Sequence, residues 1–170
     1  MSETQQNPEP VPPVFTPFAA PSEYLAALDN VLALAANEIL VLDRDLRDGD
    51  WNSVRRAELL QTFLLKHRTS RLQIIVHETL FIEAHLPRLL MLLREFSHKV
   101  EIRRTIEDGR NAWDAYVLVD GKHALNRFHQ NVMRGELGID AVDKVRELRE
   151  RYDEIMVFSE PGVNATQLGL

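Results

Sequence analysis

Cysteine is absent from the 170 residues, which removes disulfide staples, a thiol nucleophile and any thiolate metal site. That absence fits a reducing compartment. No apolar run approaches the roughly 18 residues needed to span a bilayer. The N-terminus shows no basic segment followed by an apolar one, so no secretory signal is read there and a cytoplasmic protein is expected. The seven glycines are scattered, so no Gly-rich phosphate loop occurs. A nucleophile elbow is missing as well, which discounts Ser-His-Asp catalysis. No internal repeat is found. None of the six histidines stands in H-E-x-x-H or another dense ligand spacing. A metal site built from His77, His123 and His129 has no accompanying pattern of residues to orient its ligands, so neither metal nor cofactor is expected.

What is present is ordinary for a globular chain: 45% apolar and 27% charged residues. One domain is the natural expectation for this length. The net charge of −6 opposes nonspecific nucleic-acid binding, so nucleic acid is an unexpected partner. Residues 1–21 are expected to form a disordered tail, because Pro8, Pro10, Pro12, Pro13, Pro17 and Pro21 block helix and central strand. Residues 22–160 are expected to hold the single domain and 161–170 a C-terminal tail.

Hydrophobic periodicity orders the domain. Ser22 is expected to cap a helix to about Ala36 that carries Leu25, Leu28, Leu32 and Ala35 on one stripe. Ile39-Leu40-Val41-Leu42 is a continuous apolar run, as in a strand buried on both faces. Asp43-Arg44-Asp45 then lies at its carboxyl end, where open α/β sheets bind ligands. A helix from Asn52 or Ser53 to about His67, a strand Arg71–His77, a helix from Leu86 to Phe96 and a strand Lys99–Thr105 follow. Residues 131–138 read as irregular, and Asp140 is expected to cap the last helix, whose stripe includes Val145, Leu148 and Tyr152. The expected fold is α/β: a three-layer mixed sheet of about five strands with helices on both faces.

The most telling stretch runs from Trp113 to His129. Two strand-forming runs flank Asp120-Gly121, a strong hairpin signal because both residues tolerate φ > 0. Here the chain resembles a phospholipase D-like half-domain. That superfamily carries H-x-K-x-x-x-x-D on such a strand, ending in an Asp-Gly turn. With Asp120 as the aspartate, the histidine position holds Trp113 and the lysine position holds Ala115. Tyr152-x-x-x-Met156 is a loose echo of the Phe-x-x-x-Trp pattern of the closing helix. The chain also resembles bacterial domains that look like degenerate phospholipase D halves.

In active relatives two copies of the motif meet. One histidine attacks phosphorus, the other is the general acid, and the lysines bind phosphate. The resemblance therefore implies an erased site in this chain. It implies a noncatalytic module acting in dimerisation, partner docking or small-anion binding. The expected partner is a second copy, with Trp113 at or near the two-fold axis, or another protein. The competing role for Trp113 is to fill the vacated pocket within one monomer.

The candidate anion set is Arg103 or Arg104 with Arg127 and His129, since guanidinium matches phosphate or carboxylate at two points. The alternative is a phosphodiesterase or phosphoryl-transfer enzyme with relocated chemistry. His77 would be its base or nucleophile, and Arg104, Arg127 and His129 would hold the substrate's charge. Catalytic candidates are thus His77, His129 and the surviving Asp120, which also reads as a plain turn residue.

Overall fold

The apolar run at Ile39–Leu42 sits in the middle of the sheet. The computed structural model describes residues 8–168, with side chains through 166. The first parallel set is β2 (Glu38–Asp43), β3 (Arg71–Val76) and β4 (Val100–Thr105). Alternation explains why β2 is apolar throughout. Ile39 and Val41 join one core with Leu28, Val31 and Leu32 of α1 (Pro21–Ala33) and Leu60 and Leu64 of α2 (Val54–Lys66). Leu40 and Leu42 join a second core with Val145, Leu148 and Tyr152 of α5 (Val142–Val157). The three-layer α/β expectation therefore holds.

Local chemistry sets most boundaries. Ser53 caps α2, its Oγ accepting the Arg56 N–H at 3.1 Å. Ser22 does not cap α1. Pro21 already occupies the first helical position, where its missing N–H is harmless, and Ala20 is the cap residue. Asp140 does not cap α5 either. It takes a positive φ of 53°, and its N–H donates to His123 Nδ1. The expected helix over 86–96 becomes α3 (Leu80–His85) and α4 (Pro87–Glu95), with Pro87 in the first turn of the second. No helix among the described residues is long and apolar enough to cross a membrane.

The hairpin forms as its turn residues require. β5 (Ala115–Val119) pairs with β6 (His123–His129), and Lys122 N–H donates to the Val119 carbonyl at 2.9 Å. Asp120 and Gly121 have φ of 53° and 67°, the left-handed pair of a primed turn.

The sheet has eight strands rather than five, in the order β1-β7-β6-β5-β2-β3-β4-β8. The three extra strands are β1 (Val14–Phe18), β7 (Val132–Ile139) and β8 (Ser159–Val163). They correct three expectations: a tail through residue 21, an irregular 131–138 and a tail from 161. Residues 1–7 and 169–170 of those tails lie outside the described residues. Each extra strand contains Pro or Gly. Pro17 and Pro161 sit in the two edge strands, where a lost ladder donor costs little. Gly135 in β7 is required by close approach: a Cβ there would stand 2.0 Å from the Asn126 carbonyl oxygen and 2.5 Å from the Phe18 ring.

Candidate functional site at the carboxyl end of the sheet

Strand direction gathers the polar tips. The carboxyl ends of β2, β3 and β4 lie beside the start of β5 and the end of β6, as the pairs Asp43↔Val76, Leu42↔Tyr116 and Ala115↔Arg127 show. A cleft of about 550 Å³ opens there, lined by Arg44, His77, Glu78, Arg104, Arg110 and Trp113, with Gln130 and Asn131 on one wall. Ligands of open α/β sheets bind at this end.

His77 is held at both ring nitrogens. Nε2 lies 2.8 Å from the Ala112 carbonyl oxygen and Nδ1 2.8 Å from Thr105 Oγ1. A carbonyl only accepts, so Nε2–H donates to it and neutral Nδ1 accepts the Thr105 hydroxyl. Burial pushes the His77 pKa below its ordinary value, against the pull of the Ala112 hydrogen bond. Neither nitrogen is left to attack a substrate or take its proton. A lowered imidazole pKa also makes the unfolded chain the better proton binder. Stability supplied by neutral His77 is complete above about pH 6.5 and is lost as pH falls toward the lower folded value. Melting curves of His77→Gln between pH 8 and 5 should therefore show a shallower acid decline than wild type. The difference is bounded by one proton, about 1.4 kcal/mol per pH unit. Parallel curves would show that His77 is not the neutral pin described.

Trp113 is 56% exposed on the rim, so it does not fill a vacated pocket. It is nonetheless fixed in place. Its ring stacks on His129 with centroids 6.0 Å apart and planes 12° apart, and its carbonyl accepts the Gln130 N–H at 2.7 Å. His129 Nδ1 accepts the Asn131 N–H at 3.1 Å. Ala115, at the lysine position of the resemblance, is buried with Arg127 as its cross-strand neighbour.

The arginines divide into occupied and open groups. Arg127 is buried and fully engaged. Nε donates to the Val132 carbonyl, Nη2 to the Gln130 carbonyl at 2.6 Å, and Nη1 to Asp48 Oδ2 at 2.8 Å. Arg103 turns to the sheet edge, donating to Ser159 Oγ and its carbonyl and to Glu101. Arg104 lines the cleft and is paired with Glu160. Arg44 makes one long contact, 3.5 Å to Asn131 Oδ1. Arg110 has no hydrogen-bond or ion-pair partner among the described residues. The anticipated set of Arg103 or Arg104 with Arg127 and His129 is therefore not what faces the cleft. Arg127 opens instead on an adjoining pocket of about 250 Å³ with Asp43, Asp45 and Asp48. Burial pushes the Asp43 carboxyl up, while the N–H groups of Leu46 and Asp45 on its Oδ1 oppose this.

Asp120 lies at the other end of the sheet. Its Oδ2 accepts the Ala36 N–H and its Oδ1 those of Asn37 and Glu38, all at 2.8 Å. It clamps the turn into β2 and is far from any chemistry at the cleft. His123 is likewise at the far end of β6 from His129, so the three histidines considered for a metal do not meet. Neither Arg44, noted only as part of the Asp43-Arg44-Asp45 strand tip, nor Arg110 belongs to the expected anion set. Arg44 had a usable signal, since it directly follows a buried strand at its carboxyl end. Arg110 had none: its turn is seated by Gly109 against Phe158, where a Cβ would come 2.5 Å from the Phe158 carbonyl oxygen.

No curated protein matches the sequence. Solved structures do match the fold. Nuc from Salmonella typhimurium, a phospholipase D family member, is 10% identical with a TM-score of 0.58, covering 88% of this chain and 98% of that one. NucT from Helicobacter pylori is 12% identical with a TM-score of 0.59, covering 88% and 99%. TrmBL2, an archaeal chromatin protein with a novel mode of DNA binding, is 14% identical with a TM-score of 0.65 over 86% of this chain. This chain spans about half of that protein's length, 52%. The fold is thus phospholipase D-like. TrmBL2 also corrects one expectation: net charge had argued against nucleic acid as a partner, yet a DNA-binding protein shares this fold. Net charge sums the whole surface, while a ligand meets only the residues around one cleft. The sequence model described as Domain of unknown function (DUF7931) matches residues 20–168, and the chain belongs to that family.

Proposed function

We propose that the protein is a noncatalytic phospholipase D-like module that binds a small anion in the cleft at the carboxyl end of its sheet. One observation carries the reading. Three guanidinium groups, Arg44, Arg104 and Arg110, face a cleft whose lining imidazole has no free ring nitrogen. Arginine matches phosphate or carboxylate geometry and stays charged at any working pH. The opposing charges are Glu78 on the cleft wall and Glu160 on Arg104. Arg44 and Arg110 therefore supply the net attraction. The resemblance adds Trp113 and Ala115 at the positions of the nucleophile and the phosphate-binding lysine. TrmBL2, a chromatin protein, is a relative in fold whose described role is binding.

Two assays test this. Bis(p-nitrophenyl) phosphate and p-nitrophenyl phosphate should show no turnover. Pyrophosphate should bind by calorimetry, more weakly as salt rises, and Arg44→Ala with Arg110→Ala should weaken it about tenfold or more. Turnover abolished by His77→Ala would replace this reading with that of a relocated enzyme. Pyrophosphate affinity untouched by the double substitution would remove the cleft as the site.

A further inference from the structure

We propose that the ligand is a nucleotide, its base stacked on Trp113 and its phosphate held by Arg44 and Arg110. The proposal rests on the anion-binding reading and names the ligand class of that same cleft. It comes from what the arginines leave unexplained.

The first observation is the indole. Large aromatic side chains are normally buried, and the chain's other tryptophan, Trp51, is. Trp113 instead stands more than half exposed beside three guanidinium groups. It is not loose, because His129 stacks against it and Gln130 anchors its backbone. A ring held rigid at a cleft edge is prepared to stack on another flat ring, and any base offers such a face. A bare phosphate has no use for it.

The second observation is an acceptor without a donor. Gln130 lines the same cleft, and its Oε1, shielded in the unliganded protein, has no hydrogen-bond partner among the described residues, so a turn of the side chain is what brings it to a ligand. Leaving such an atom unpaired is costly. Inorganic phosphate brings mainly acceptors. A nucleotide brings base N–H groups and sugar hydroxyls. Glu78, also on the wall, is a second acceptor and is ill suited to a site for anions alone. The cleft thus offers cations and acceptors side by side, with an aromatic platform at the rim. A volume of about 550 Å³ lies within the usual range for small-ligand pockets.

Free nucleotides and single strands share this chemistry, and the test separates them. The 170-residue chain is titrated with AMP, a ten-nucleotide single strand, ribose 5-phosphate and pyrophosphate, by calorimetry and tryptophan fluorescence. AMP or the strand should bind about tenfold tighter than ribose 5-phosphate and quench Trp113, whose ring is the exposed one. Trp113→Ala should weaken the nucleotide about 10- to 30-fold and leave pyrophosphate unchanged, while Trp113→Phe restores most of the loss. Circular dichroism confirms that the variants are folded. A strand binding no tighter per site than AMP assigns the free nucleotide; a much tighter strand assigns the polymer.

If pyrophosphate binds but AMP and the strand gain nothing over ribose 5-phosphate, the nucleotide proposal fails and the anion reading stands. If neither pyrophosphate nor a nucleotide binds, both fail. If Trp113→Ala changes self-association in sedimentation and leaves ligand affinity intact, the indole belongs to a contact between copies and the proposal is overturned.

Discussion

Asp120→Ala should lower the folding free energy by about 3 kcal/mol, the sum of three partly exposed, charge-assisted bonds. The carboxylate receives the N–H groups of Ala36, Asn37 and Glu38, and its own N–H donates to the Glu38 carbonyl. Removing it leaves three donors at the entry of the central strand with only solvent to satisfy them. For a chain of this size that is a fall of about 6–12 °C in Tm. Asp120→Asn keeps Oδ1, which serves two of the three donors, and tolerates the positive φ, so it should cost less than half as much. Thermal and urea unfolding check both variants. Pyrophosphate affinity of the folded fraction should not move, because Asp120 lies at the opposite end of the sheet from the cleft. A wild-type Tm for Asp120→Ala together with lost binding would return Asp120 to the functional candidates.

Arg127→Ala should be as damaging, about 3 kcal/mol. Two carbonyls, of Gln130 and Val132, lose their charged donor, and Asp48 loses its partner across 79 positions of sequence. The guanidinium also lies over the Tyr24 ring at 5.7 Å. Arg127 thus braces the β6–β7 turn against the loop after β2, the two segments that carry Gln130, Asn131 and Arg44. Lysine should not rescue it, since one ammonium cannot reproduce three diverging bonds. Urea unfolding reads the stability, and calorimetry on the folded variant reads the site. Unfolding of Arg127→Ala at the wild-type urea concentration would show that these bonds do not brace the fold.

The architecture was legible to the extent that it rests on local rules. The buried run at Ile39–Leu42, the helical stripes and the Asp120-Gly121 turn each carry a period or a conformational demand visible within a dozen residues. The edge and near-edge strands were not. β1, β7 and β8 contain Pro17, Gly135 and Pro161, residues that argue against strand until the neighbouring strand is known. The site was half legible. Its location at the strand tips was readable, and so was the replacement of histidine and lysine by Trp113 and Ala115 in the resembling motif. The sorting of its charged residues was not.

The sequence by itself determined an α/β chain with a buried central strand, a primed hairpin and polar tips at one end of a sheet. Only the tertiary structure decided which of those polar groups are occupied. Asp120 meets Ala36 across 84 positions, Arg127 meets Asp48 across 79 and Arg103 meets Ser159 across 56. With 20 cations and 26 acidic residues in the chain, spacing along the sequence cannot say which pairs form. Pairing follows distance and burial in the fold, and at the cleft it occupies His77 and Arg104 while leaving Arg44 and Arg110 as the less engaged cations.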